Sequence, residues 1–208
     1  MHIALQSVSH RPWPITPGPW IMAQTWDDLL FMHWPVAPDA LRALVPAQLE
    51  LDLWVGQSWV AVVPFWMSGV RARGTPSVPR LSCFPELNVR TYVRHRNKSG
   101  VYFFSLDAAS LPAVHAARAL YHLPYFHARM SAKTQGDAVE YSSQRKRAAA
   151  EFRGVYRPVA DVELRKRGSI EHWLTERYCL FTVFVALSTS AKFITHHGLC
   201  RTPMYTSR

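Results

Sequence analysis

Glu86, Asn88 and Arg90 are the residues of this chain whose types and spacing could do chemistry most directly. They lie in the run Phe84-Pro85-Glu86-Leu87-Asn88-Val89-Arg90-Thr91-Tyr92-Val93. The run reads as a strand, and side chains of a strand alternate between its two faces. Glu86, Asn88, Arg90 and Tyr92 therefore share one face, while Leu87, Val89, Thr91 and Val93 share the other and pack into an apolar layer. A carboxylate, an amide and a guanidinium in one row make either an ordinary wet surface or one wall of a polar pocket. In a pocket, burial and mutual charge would shift the pKa values of the row, as active sites often do.

Other residues join this set more weakly. His33 sits among bulky apolar neighbours in Phe31-Met32-His33-Trp34. It is either a core histidine satisfied by a carbonyl or a pocket ligand. Tyr125, His127 and Arg129 alternate onto one face of a second strand, and Tyr141, Ser143 and Arg145 do so on its partner. Packing accounts for Tyr125 as well as chemistry does. Arg177, in Glu176-Arg177-Tyr178, fits a structural ion pair or a ligand contact. We take Glu86, Arg90 and Tyr125 as candidate catalytic residues, and His33, Asn88, Arg145 and Arg177 as candidate ligand-binding residues.

Several chemistries leave no trace. There is no Gly-rich phosphate loop, no GxSxG elbow, no HExxH and no CxxC. His196 and His197 are adjacent, so their side chains point apart on helix or strand and chelate poorly. No metal and no cofactor is expected.

The elements that must position these residues are short. Met1 to Gln24, rich in Pro and aromatic residues, reads as an N-terminal arm. Leu29 to Val36 reads as a strand, and Pro38 to Leu44 as a short helix with Pro near its start. Leu49–Trp54 and Ser58–Trp66 read as a hairpin, followed by a basic loop over 69–81. Further hairpins join Glu86–Arg94 to Val101–Asp107 and Tyr125–Lys133 to Ala138–Arg145. Leu111–His122 reads as a helix stopped by Pro124, and Ser169 caps a last short helix. Further strands are expected over Phe152–Pro158, Val162–Arg165 and Tyr178–Val183. Successive hairpins with few helices predict an α+β domain, a mostly antiparallel β barrel or cone with helices outside.

At 208 residues with 49% hydrophobic content, the chain fits one domain with its own core. Its formal charge of +10 is carried by clusters such as Arg145-Lys146-Arg147 that acidic residues interrupt. With no accompanying motif, this reads as a solvated face and no nucleic-acid partner is expected. Three widely spaced cysteines give no disulfide framework, and no apolar run approaches the roughly 20 residues of a membrane helix. No signal peptide is apparent. A cytoplasmic protein with a small-molecule ligand, no membrane partner and a possible homo-oligomeric state is expected.

Specific motifs connect the chain to a family. His33-Trp34-Pro35, the Phe84–Val93 run, Val101-Tyr102-Phe103-Phe104-Ser105-Leu106-Asp107-Ala108, Leu123-Pro124-Tyr125 and Leu174-Thr175-Glu176-Arg177-Tyr178 occur in order. Together they resemble the YqjF-like family of uncharacterised bacterial proteins, a domain of unknown function grouped with the acetoacetate decarboxylase-like superfamily. The resemblance runs from about Thr25 to Thr182. It implies a curved antiparallel barrel or cone of strands enclosing a polar pocket. The superfamily resemblance also implies one chemistry, that of acetoacetate decarboxylase, in which a lysine with a depressed pKa forms a Schiff base as the electron sink. The superfamily's lysine pair follows a Pro after a helix; the counterpart here is Pro124-Tyr125-Phe126, with Tyr and Phe in place of lysines. The resemblance thus implies a pocket for a small carboxylate or carbonyl compound without a Schiff-base lysine, or a non-catalytic ligand-binding barrel.

The tail departs from the pattern. No acidic residue follows Glu176, and the family is expected to continue to a His-His-Pro-Pro-Trp-Pro-Leu segment. One permitted coding of Lys192 to Pro203, regrouped after its first two letters, spells Val-His-His-Pro-Pro-Trp-Pro-Leu-Gln-Asp-Ala. We read 25–183 as a single domain and 184–208 as a tail produced by a frameshift near Val183.

Overall fold

The computed structural model describes residues 22–78, 82–146, 148–158 and 165–182, with the short strands 184–185 and 192–193. Most of the N-terminal arm, Val162–Leu164 and most of the tail lie outside the described residues. The first described strand begins inside the expected arm, at Met22.

The centre of the fold is the candidate strand itself. Phe84–His95 (here β5) pairs along its length with Ser58–Ala72 (β4) on one side and Lys98–Ala108 (β6) on the other. A strand paired on both edges and covered on both faces reads as almost continuously buried, and only Val89, Arg94 and His95 of β5 escape full burial. Its outward row lies near a second apolar cluster, in which Val93 packs with Val45, Leu49, Tyr178, Cys179 and Phe181. The inward row faces the main core, built from Trp26, Phe65, Met67, Phe84, Phe103, Leu106, Val114 and Leu123, among others.

The β5–β6 connection is tighter than expected. The two strands meet through Arg96 and Asn97, both with positive φ (46° and 63°). This two-residue turn matches the right-handed twist of the ladder, and Asn suits the left-handed region.

The expected Leu49–Trp54/Ser58–Trp66 hairpin is replaced by a different pairing. Trp54 and Gln57 do close a tight turn with two backbone hydrogen bonds. The strands then part. Glu50–Leu51 (β3) pairs with Arg94 and Val93 of β5, because Met32–Val36 (β2) already occupies the edge of β4 from Ser58 to Val62. The basic loop expected over 69–81 also begins later, since β4 continues to Ala72 against Met22–Asp27 (β1).

Helix α2, Leu111–Tyr121, is capped by Ser110, whose hydroxyl accepts from the Ala113 amide, and ends at His122 in the left-handed conformation. It carries the chain from β6 to Tyr125–Gln135 (β7), which lies parallel to β6. Such a parallel pair needs a crossover, and α2 supplies it. Ala138–Arg145 (β8) and Glu151–Tyr156 (β9) extend the sheet, giving the order β1-β4-β5-β6-β7-β8-β9. The short helices Pro38–Arg42 (α1) and Ile170–Thr175 (α3) and a second parallel partner of β6, Leu180–Phe181 (β10), complete the domain. Phe184–Val185 (β11) and Lys192–Phe193 (β12) form a separate two-stranded ladder.

The α+β class is as expected, but among the described residues the sheet does not close into a barrel: it is a curled, mixed sheet with β1 and β9 at its ends. Side chains bridge the curl where no ladder does. The Tyr156 hydroxyl donates to the Asp28 carbonyl at 2.5 Å, and Tyr141 on β8 donates to the carbonyls of Glu86 (2.7 Å) and Phe65 (3.2 Å).

Candidate functional site

The polar row of β5 faces inward. Glu86 and Arg90 are 2% and 4% exposed and Asn88 is wholly buried, so the wet-surface reading is excluded. Antiparallel register places an apolar residue beside each of them on β4: Phe65 by Glu86, Val63 by Asn88 and Ala61 by Arg90. On β6 a bulge at Phe104 shifts the register, since Val89 opposes Ser105 while Arg90 opposes Phe103. Strict alternation would send Phe103 and Leu106 to opposite faces; the extra residue lets both line the same cavity. A polar strip thus runs between two apolar rows, in surroundings that strengthen its electrostatics.

That cavity has a volume of about 240 Å³ and is bounded by β5, β6, α2 and the segment after α3. At one end, burial pushes the Glu86 carboxyl up to about 8, while a hydrogen bond from the Tyr125 hydroxyl to Oε2 (2.9 Å) pulls the other way. Burial, then the Glu86 charge, holds the Tyr125 phenol well above its ordinary value. At neutral pH the pair is largely a carboxylic acid and a phenol.

At the other end are two guanidinium groups. Arg177 donates from Nη1 to Asp52 Oδ2 (2.5 Å) and from Nε to the Trp173 carbonyl (2.7 Å), and it stacks on the Trp173 ring at 4.1 Å. Burial lowers its pKa and the Asp52 carboxylate raises it. Arg90 is in no ion pair with a carboxylate among the described residues; its guanidinium lies 5.1 Å from the Phe31 ring centre. Nε and Nη2 of Arg90, Nη2 of Arg177 and both amide atoms of Asn88 are buried without a hydrogen-bond partner among the described residues. Buried polar atoms are nearly always satisfied, so this cluster of orphans on one cavity wall points to a ligand with acceptor atoms.

Of the sequence-predicted residues, Glu86, Asn88, Arg90, Tyr125 and Arg177 line the cavity together. His33 stands just behind it: Nε2 shares a 2.7 Å hydrogen bond with the Tyr92 hydroxyl, and burial, then Arg90, lowers its pKa to about 4. Arg145 lies elsewhere. It forms a two-point ion pair with Asp107 (2.6 and 3.0 Å) over the Phe126 ring. Asp107 opposes Leu87 and so faces away from the Glu86 row. Sequence reasoning missed Asp52 as the partner of Arg177, and the α2 residues Ala113, Ala117 and Tyr121 as cavity wall. The spacing 113, 117, 121 along a capped helix was the available signal for the latter. Among the described residues no lysine lines the cavity, Lys133 is exposed, and no cluster of His, Cys, Asp and Glu could hold a metal. Among them, too, no helix is long and apolar enough to cross a membrane.

Residues 23–200 match the family DUF2071, described as an uncharacterized conserved protein. The chain belongs to this family. It is 49% identical over 171 residues to the uncharacterized protein YqjF of Bacillus subtilis (strain 168), a match covering 82% of this chain and 71% of that protein. Solved structures share the fold at low identity. An acetoacetate decarboxylase-like enzyme from Sphingomonas wittichii RW1 superposes with a TM-score of 0.58 at 14% identity, covering 88% of this chain and 73% of its own. The acetoacetate decarboxylase of Legionella pneumophila gives 0.56 at 13%, covering 88% and 67%. The enduracididine biosynthesis enzyme MppR, complexed with pyruvate, gives 0.55 at 12%, covering 82% and 66%. At these identities the likeness establishes the acetoacetate decarboxylase-like fold and nothing about chemistry.

Proposed function

We propose that this DUF2071 protein acts on a small carboxylate or carbonyl compound bound in the β5–β6–α2 cavity, without a Schiff-base lysine. The observation that carries the reading is Arg90, a buried guanidinium with two nitrogens unpartnered and no carboxylate paired to it among the described residues. A buried charge is stable only with a counter-charge and satisfied hydrogen bonds, and a ligand carboxylate supplies both. Arg90 then holds the anion and Asn88 adds a donor. Glu86, protonated at neutral pH, delivers a proton to the ligand carbonyl or the carbon beside it and, as the carboxylate so formed, takes a proton back to complete the cycle, while Tyr125 hydrogen-bonds the same region. The fold neighbours lend support, since one of them carries pyruvate.

The test is turnover of a panel of 2-keto and 3-keto acids by the purified chain. Activity that Glu86→Gln abolishes supports the enzyme. Saturable binding without turnover supports the second reading, a ligand-binding protein using the same pocket. Tyr125 and Phe126 at the lysine-pair position favour this second reading, because the Phe126 ring lies against Arg145, away from the Glu86 row. Absence of both binding and turnover overturns both readings.

A further inference from the structure

Most of the cavity's lining is apolar. Beside the Glu86–Arg90 strip it is lined by Phe103 and Leu106 of β6, and further by Ala113, Ala117 and Tyr121 of α2 and Leu123 of the turn after it. A compound as short and polar as pyruvate would fill the head of such a site and leave this surface bare. Apolar surface beside a buried charged head is instead what an amphipathic ligand covers.

The charges on the polar wall specify the head. Arg90 and Arg177 each bring one positive charge, and Asp52 neutralises one of them. Glu86 and His33 are held neutral near pH 7 by burial. One positive charge is left, which a monoanion balances and a dianion overshoots. The unpartnered Asn88 amide and the free nitrogens of Arg90 and Arg177 offer several donors and one acceptor around it. The volume limits the tail: 240 Å³ divided by the roughly 30 Å³ that a water occupies gives about eight non-hydrogen atoms.

We infer that the ligand is a monocarboxylate with an apolar tail, of about the size of hexanoate. Its head sits on Asn88, Arg90 and Arg177, and its tail lies between β6 and the alanine face of α2. The inference rests on the proposed reading of the cavity as a carboxylate site and adds the tail.

Trp26 lines the cavity and provides a fluorescence signal for titration of the full chain. The probes are acetate, butyrate, hexanoate, pyruvate and hexanamide. Affinity is expected to rise about fourfold per methylene from butyrate to hexanoate, following the transfer free energy of a buried methylene. Hexanamide is expected to bind at least tenfold more weakly than hexanoate. Ala117→Leu occupies the tail space and should shrink the hexanoate-to-acetate affinity ratio about tenfold. Ala116→Phe, at an exposed position on the same wall, serves as the second such variant should Ala117→Leu not fold. Acetate and pyruvate binding with no gain along the series, or a ratio unmoved by both variants, overturns the tail and leaves the carboxylate reading standing. Equal binding of hexanoate and hexanamide, or no binding by any carboxylate, overturns both.

Discussion

The Tyr125 hydroxyl meets Oε2 of Glu86 at 2.9 Å, joining the first residue of β7 to the buried acid of β5. It is a single bond between two residues 39 apart in sequence, and it opposes the burial that raises the pKa of the cavity's acid. Tyr125→Phe removes the interaction that opposes desolvation of Glu86, so the carboxyl should rise above its present value of about 8. It also leaves a buried acceptor unsatisfied, at a cost of about 1–2 kcal/mol. The protonated-carboxyl band in infrared difference spectra, followed against pH, reports the first effect, and urea unfolding reports the second. A band that titrates at lower pH in the variant would contradict the assignment.

Glu86 itself makes stability depend on pH in a defined direction. In the unfolded chain it ionises near 4.5, whereas in the folded protein it does so near 8. Between these values the unfolded state has lost a proton that the folded state keeps, so stability falls as pH rises through the window and levels off above 8. Glu86→Gln cannot ionise. The variant should therefore gain on the parent from pH 5 to pH 8, at up to about 1.4 kcal/mol per unit and on the order of a few kcal/mol in all. His33 acts in the opposite sense. Its pKa is lowered to about 4, so its contribution is lost as pH falls from 6.5 towards 4. That contribution is common to both proteins and cancels in the difference. Paired urea unfolding across pH 4–9 measures it; a difference independent of pH would show that Glu86 is not buried in its neutral form.

Gly100 controls whether the arginine segment can dock. A Cβ there would sit 2.5 Å from the Cys179 carbonyl oxygen and 2.6 Å from the Phe181 ring. The parallel β6–β10 pairing brings these atoms in, with the Val101 amide donating to the Cys179 carbonyl at 2.9 Å. Because the obstacle includes backbone, Gly100→Ala should cost about 2–3 kcal/mol, as overpacking does. It should also weaken ligand binding, since residues 177–180 line the cavity. Thermal unfolding and the fluorescence titration read the two effects, and an alanine variant as stable as the parent would rule out this close packing.

What the sequence made legible followed short-range rules. The alternation over Phe84–Val93, the Ser169 cap and the hairpin joining Tyr125–Lys133 to Ala138–Arg145 all depend on neighbours within a few residues, and each element formed. The direction of the Glu86 row did not, because a strand's two faces are equivalent until its partners are known. Likewise nothing local tells Asp52 to pair with Arg177, 125 positions away, or Arg145 with Asp107. The bulge at Phe104 hides for the same reason: alternation alone would have divided Phe103 and Leu106 between faces. The hairpin expected at Leu49–Trp66 formed its turn but not its ladder, since a competing strand, β2, held the edge it needed.

For the tail we propose a change of reading frame near Val183. The motif-by-motif resemblance stops there, while the family match reaches residue 200. Resequencing of the gene should show an insertion or deletion at that point, and the restored chain should gain the missing C-terminal segment and unfold at a higher urea concentration. A clean in-frame sequence encoding Phe184 to Arg208 would end the proposal.

Arg90 permits the sharpest separation of function from stability. Without a ligand, a buried guanidinium with two orphaned nitrogens is a desolvated charge that the fold carries at a cost, as binding sites often do. Arg90→Met keeps the length and apolar contact of the side chain, including packing against Phe31, and discards the charge. The ligand-free variant should be as stable as the parent or up to about 1–4 kcal/mol more stable. Its affinity for any carboxylate should nonetheless fall by at least tenfold. Urea unfolding and carboxylate titration on the same preparation test both halves. Destabilisation with unchanged carboxylate affinity would mean that Arg90 serves the fold, and that the anion site lies elsewhere.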